Sequence, residues 1–363
     1  MIRRIAIGTA LLAVLATAPA FGGFGASDLI FIPVVTRAVG SAGTQWVSDV
    51  YVTNVDDVDI DVAFIYLPSG FNNSARFVDR TYWLGGRESD GFGDVNEELA
   101  SIPPGGTVVL RDIVGEYWSA SIGANGNGSL VAAAYEADTL EDDGSRVYRN
   151  AVVNSRIYND TTIWVEDDEN PGEFVERAAE YGQNMPGVPW YNLADGGAVG
   201  DDYDLSYEVL TGGEEGNGRR YNVGVFNASD VLTSLTVAIQ PLQPNGEPYL
   251  DAEENEISSV VTLAPLSHIQ LFRPYPNVWE IEDDVEQSTV RVSIVAWSSS
   301  ASQPRPMMTS YGSVVYNRTG DPSSVLPSFA DPYDVECIWG PGDPGAAKRR
   351  DRPAQRPVAI PPR

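Results

Sequence analysis

The chain has 363 residues but only one cysteine and one histidine, and Lys348 is its only lysine. Cys337 alone cannot close an intramolecular disulfide, and a single thiolate excludes a thiolate zinc centre. Any Ser-His-Asp or Cys-His device would have to use His268. Basic residues are scarce enough to leave a formal net charge of −28. A body this acidic repels nucleic acid and anionic membranes at long range. Beyond the first twenty residues no apolar run is long enough to span a bilayer, and no stretch sustains a 3.6-residue apolar period. Stability must therefore come from buried area or from ions bound by oxygen.

What is abundant is turn formers, 35 Gly and 25 Pro, alongside 10% aromatic residues. Many short strands between Gly/Pro-rich turns define an all-β chain. The first twenty residues read as a signal peptide, with Arg3 and Arg4 ahead of an apolar run from Ile5 to Thr17. Ala18-Pro19-Ala20 supplies small residues at the cleavage spacing, and cleavage could fall as late as Ala26. The expectation is an exported protein, periplasmic, cell-surface or extracellular, with no transmembrane segment in its mature form.

An internal repeat organises the rest. Val50-Tyr51-Val52-Thr53-Asn54 matches Val223-Gly224-Val225-Phe226-Asn227 at an offset of 173, continuing through Val62 with Leu235, Phe64 with Val237 and Tyr66 with Ile239. After a loop the offset becomes 161: Ile102-Pro103-Pro104 matches Leu263-Ala264-Pro265, Leu110 matches Leu271, and Trp118 matches Trp279. Leu130, Ala132, Ala134 and Tyr135 then match Val292, Ile294, Ala296 and Trp297. Ser155 to Asn159 matches Ser313 to Asn317 at 158, and Ile32-Pro33 and Met185-Pro186 form similar openings. Order is kept while offsets change only between blocks, as when one fold is duplicated and its loops drift. The blocks alternate as strands do. In Ile60 to Tyr66, Ile60, Val62, Phe64 and Tyr66 share one face while Asp59 and Asp61 begin the other, which predicts a half-solvated strand.

These features predict two tandem immunoglobulin-like β-sandwich domains, over residues 29–182 and 183–327, with a jelly roll as the structural alternative. Residues 328–363 form a Pro/Arg-rich tail of disordered composition. An acidic, Gly-rich insert lies between Trp190 and Gly218, where Tyr203 to Leu210 could add a strand. The strand ends Asn54 and Asn227, the turns at Pro103 and Pro265, and the closing Ser155–Asn159 and Ser313–Asn317 segments resemble a duplicated domain of exported bacterial hypothetical proteins of unassigned function. That resemblance implies no catalytic residue.

Candidate sites follow from what the repeat leaves unmatched. Tyr82, Trp83, Trp190 and Tyr191 border irregular segments and are the candidate ligand platform, because flat rings stack on sugar faces. Calcium takes six to eight oxygens. Asp90, Asp94, Asn96 and Glu97, with Asp167 and Asp168, are candidate ligands, and Asp56, Asp57 and Asp59 form a further acidic turn. Paired carboxylates can hydrolyse glycosides without histidine, but only Asp57 and Asp230 match between the copies, and both belong to turns. His268 takes the place of Thr107 at a strand start. The reading is an exported non-enzymatic structural or interaction protein that presents variable loops on two β-sandwiches, with a protein or polysaccharide at the cell surface as partner. A carbohydrate-binding or calcium-stabilised adhesive module is the alternative, and a carboxylate-based hydrolase a remote one.

Overall fold

The computed structural model describes residues 25–39, 45–85, 99–122, 126–139, 146–166, 174–195, 207–302, 304–317 and 322–330. The expected signal peptide and residues 331–363 of the expected tail lie outside them, whereas residues 328–330 of that tail belong to a strand.

The N-terminal sandwich comprises β1 (Leu29–Val39), β2 (Gln45–Asn54), β3 (Ile60–Pro68), β4 (Trp83–Leu84), β5 (Thr107–Leu110), β6 (Gly126–Glu136), β7 (Ala151–Glu166) and β8 (Phe174–Pro186). Helix α1 (Ser74–Val78) follows β3, and α2 (Ile113–Ile122) follows β5. Two short strands, β9 (Val188–Pro189) and β10 (Ala194–Asp195), lead to the second sandwich. It contains β11 (Tyr207–Glu215), β12 (Arg219–Asn227), β13 (Thr233–Leu242), β14 (Ser259–Leu263), β15 (His268–Phe272), helix α3 (Pro274–Asn277), β16 (Val285–Ser299), β17 (Met307–Tyr316), β18 (Pro322–Val325) and β19 (Pro327–Ala330).

All described strand pairs are antiparallel, and the wiring recurs. One layer of the first sandwich runs β4-β3-β6-β1, and the other places β2 between β5 and β7, with β8 outside β7. In the second sandwich the layers run β14-β13-β16-β11-β19 and β15-β12-β17, with β10 and β18 on β17. The first of seven strands thus lies beside the sixth, and the seventh beside the second. In the immunoglobulin arrangement the first strand joins the second and the seventh joins the sixth. The terminal strands have exchanged layers, so this is a β-sandwich with a different pairing order from the expected one. In the first sandwich the layers also join, because the end of β1 pairs with β2 at Ala38 and Trp46.

Registers repeat as well. Val50 faces Leu110 and Thr53 faces Thr107, as Val223 faces Leu271 and Phe226 faces His268. Phe64 faces Ala132 and Tyr66 faces Leu130, as Val237 faces Ile294 and Ile239 faces Val292. The strand-end asparagines do the same job twice. The Asn54 amide donates to the carbonyls of Val58 and Ile102, and its oxygen accepts from the Asp56 N–H. Asn227 donates to Thr233 and Leu263 and accepts from Ser229. Each is a buried bolt between two turns, and one amide satisfies several otherwise orphaned backbone groups.

Three expectations change. Met185-Pro186 does not open the second sandwich: it ends β8, paired with Ser155 and Asn154. The strand that lies against β16 as β1 lies against β6 is β11, drawn from the acidic insert. The closing block shifts by one residue, because Val50 faces Ser155 whereas Val223 faces Gly312. This puts Ile157 level with Val314, both in cores, and leaves Tyr316 39% exposed with the Arg219 guanidinium over its ring. Finally, β3 is not half-solvated: Asp61, Ala63, Ile65 and Leu67 are as buried as the opposite face.

The reason is a third core. One apolar cluster fills the first sandwich, around Ile32, Val50, Phe64 and Trp118. Another fills the second, around Val223, Val237, Tyr275 and Trp279. Between them, Phe31, Ile65, Leu67, Trp83 and Ala133 pack with Phe226, Leu266 and Met307. The outer face of β3, β6 and β1 is therefore buried under the second sandwich together with Phe77 of α1 and Val188 and Leu193 of the connection. Unbroken apolar runs such as Leu29 to Ile32 are what a strand covered on both faces requires.

Candidate functional site

The junction between the sandwiches is built from positions whose counterparts in the first sandwich face water. At one register, Thr53 and Thr107 form an exposed cross-strand pair with hydroxyls 2.9 Å apart. The corresponding Phe226 and His268 are both fully buried. Phe226 meets Phe31 with ring centroids 6.0 Å apart. At the next turn, Gly105 has φ +70°, and its counterpart Leu266 holds a left-handed φ of 53° while buried in the shared core. A leucine in that region is strained by about 1–2 kcal/mol. Its carbonyl accepts from the Asn73 amide at 2.8 Å, and the Pro265 carbonyl accepts from the Asn73 N–H. Ser69 Oγ and the Gly70 N–H both donate to the His268 carbonyl at 2.8 Å.

His268 itself is sealed. Its ring stacks on Tyr311 at 5.8 Å, and its Nε2 lies 3.1 Å from the Tyr311 hydroxyl. Burial pushes its pKa down to about 3, so the ring is neutral at neutral pH. A neutral, inaccessible imidazole of this kind supports packing.

The structure separates the four predicted aromatics. Trp83 is fully buried and its indole N–H donates to the Phe77 carbonyl, so it is a core residue and offers no ring face to a ligand. Tyr82 is half-buried at the rim of an outer hollow of about 620 Å³, shared with Phe71, Arg76 and Tyr66. The Arg76 guanidinium lies 4.2 Å from the Tyr82 ring centroid, and its Nε donates to the Tyr66 carbonyl at 2.7 Å. Phe71, 65% exposed, is the open aromatic of this hollow. Trp190 and Tyr191 pair edge-to-face at 5.8 Å, and both polar tips are engaged, with Asp28 Oδ1 and the Ala26 carbonyl. Only Tyr191 is substantially exposed.

The candidate calcium ligands Asp90, Asp94, Asn96, Glu97, Asp167 and Asp168 lie outside the described residues. Among the described residues no group of three or more His, Cys, Asp or Glu side chains is placed to hold a metal. In the acidic turn, the Asp56 carboxylate accepts from the N–H groups of Asp57 and Asn150, which hold its pKa below the usual range. Asp230 accepts from Leu232 and Thr233, as a turn aspartate does.

Sequence reasoning missed a second concavity, a cavity of about 350 Å³ at the junction. The strands β1, β2 and β7 supply Thr36, Trp46 and Ile157, and β8 supplies Gln183. From the second sandwich come Arg220, Asn222, Gln270, Phe272, Tyr311 and Ser313. Burial, then neighbouring Arg273, lowers the pKa of Arg220, which still leaves a guanidinium charged at neutral pH. Its only visible signal in the sequence is an arginine pair opening a strand of an acidic chain. No helix among the described residues is long and apolar enough to cross a membrane, a statement that does not bear on β-barrels. No family model, curated protein or solved structure matches this chain.

Proposed function

We propose that this protein is an exported, non-enzymatic binding protein that holds two β-sandwiches as one body and uses the concavities between and beside them to recognise a partner at the cell surface. The observation that carries this reading is the shared core, in which Phe31, Trp83, Phe226, Leu266 and Met307 lie together. Two modules meant to move independently meet through small polar contacts, whereas a large apolar junction fixes their relation. A fixed junction preorganises any cleft built on it, and preorganisation lowers the cost of binding.

The same wiring, matching registers and twice-used asparagine bolt support the reading of the two sandwiches as copies of one domain. The signal-like leader supports export. A carbohydrate-binding role is the second reading, favoured by the open ring of Phe71 beside Tyr82 and the polar junction cavity. The test is a binding screen of the purified full chain against envelope polysaccharides and surface proteins. Specific, saturable capture of one class is expected. Uniformly blank binding with folded protein, or turnover of a substrate, would contradict the proposal. The calcium alternative predicts a higher melting temperature in calcium than in chelator, and superimposable melting curves would remove it.

A further inference from the structure

We propose that the junction cavity binds the carboxylate of an acidic saccharide, with Arg220 as the anion contact; this rests on the reading of the chain as a binding protein and names its ligand class. The polar lining of the cavity is one-sided. Gln270 Oε1 accepts from the Tyr311 hydroxyl at 2.9 Å, and Gln183 Oε1 accepts from Ser313 Oγ at 3.1 Å. Asn222 Oδ1 accepts from the Arg273 N–H at 3.4 Å, and Asn127 Oδ1 accepts from Thr36 Oγ1. In each amide the oxygen is occupied by the protein. The amino ends carry no hydrogen bond among the described residues and remain to serve a ligand.

Arg220 completes the pattern. One terminal nitrogen donates to the neutral amide of Asn317 at 2.7 Å, and Nε is closed off from the cavity by burial. The nearby carboxylate of Glu215 is already committed, to the Arg273 guanidinium at 2.7 Å and to the Tyr221 N–H at 2.8 Å. No carboxylate is among the described residues that line the cavity. The other terminal nitrogen of Arg220 carries no hydrogen bond among the described residues, and a carboxylate in the cavity that Arg220 lines would give it a charge-assisted bond. On a chain of net charge −28, a cavity whose described lining offers donors and a cation but no acid spares an anion the repulsion of a lining carboxylate.

The walls indicate a sugar rather than a bare anion. Trp46 is half-buried and Phe272 is 55% exposed, and both line the cavity beside the amides. Ring faces stack on the apolar faces of sugars, and amide donors at fixed positions meet hydroxyl oxygens. The volume falls within the range of small-ligand sites.

The test is isothermal titration calorimetry of the full chain with digalacturonate, its neutral methyl ester and sulfate. Digalacturonate is expected to bind and the ester to bind roughly 10- to 100-fold more weakly, as loss of one charge-assisted contact implies. R220Q should reduce digalacturonate affinity to that of the ester, and R220K should recover part of it, with melting temperatures reporting that both variants fold. Equal affinity for acid and ester, or unchanged affinity in R220Q, would overturn the assignment of Arg220. Sulfate binding as tightly as digalacturonate would overturn the saccharide assignment. Absence of heat with all three would overturn this proposal while leaving the wider binding reading to the screen described above.

Discussion

Glu208 and His268 are both fully buried, and they couple stability to pH in opposite senses. Glu208 faces the second core from β11, accepting from the N–H and hydroxyl of Ser310. Burial pushes its pKa from an ordinary 4.5 up to about 8. The folded state therefore holds a proton that the unfolded state has released, and stability falls as pH rises from about 4.5 to about 8. His268 is depressed from 6.5 to about 3, so its contribution is present above pH 6.5 and is lost as pH falls toward 3. Together they predict stability that rises from pH 3 to 4.5, changes little to 6.5, and declines to 8. E208Q should remove the decline above pH 6.5, worth about 2 kcal/mol at about 1.4 kcal/mol per unit. Chemical denaturation across that range checks this, and an E208Q profile parallel to the parent would contradict it. Neither effect could be foreseen from the sequence. Glu208 reads as one more acid in an acidic insert, and only the register against β16 turns it inward.

At the scale of strands and turns, the sequence was most informative where a residue does the same task twice. The asparagine bolts, the paired Trp118 and Trp279, and the alternation of β13 and β16 are all local consequences of side-chain type and spacing. Docking was less legible, because it uses positions where the two sandwiches differ: Thr53 against Phe226, Thr107 against His268, Gly105 against Leu266. Treating matched strands as mere scaffold directed attention to loops, whereas Arg220, Asn222 and Gln270 lie on matched strands and line the junction cavity. The run Leu29 to Ile32 carried the missing signal, since a strand facing water on one side alternates. Leu266 gives the sharpest prediction at this scale. L266A keeps the strained backbone and loses the packing, and should cost about 2–5 kcal/mol. L266G loses the same packing but relieves the left-handed strain, so it should be less destabilising than L266A by a fraction of a kcal/mol to about 1 kcal/mol. Urea titration of the pair measures the difference, and the reverse order would show that the strain is absent. Gly224 is fixed by a close approach, since a Cβ there would lie 2.0 Å from the Tyr311 ring. G224A should therefore destabilise the fold and displace one wall of the cavity, visible as altered near-ultraviolet dichroism.

At the scale of the whole molecule, the two sandwiches share one core. Beads on a flexible string would unfold separately, each at its own temperature. A shared core couples them, because unfolding either half strips apolar cover from β1, β3 and β6 or from Phe226 and Met307. Truncating Phe226 to alanine should then cost about 3–5 kcal/mol and lower the stability of both halves together. The coupling also decides whether the junction cavity exists as a fixed site, since its walls come from both sandwiches. Differential scanning calorimetry of the full chain and of F226A tests this most directly. The predicted result is one transition, with calorimetric and van't Hoff enthalpies in agreement and the whole transition shifted to lower temperature in F226A. Two separable transitions in the parent chain, with only one of them moved by F226A, would contradict it.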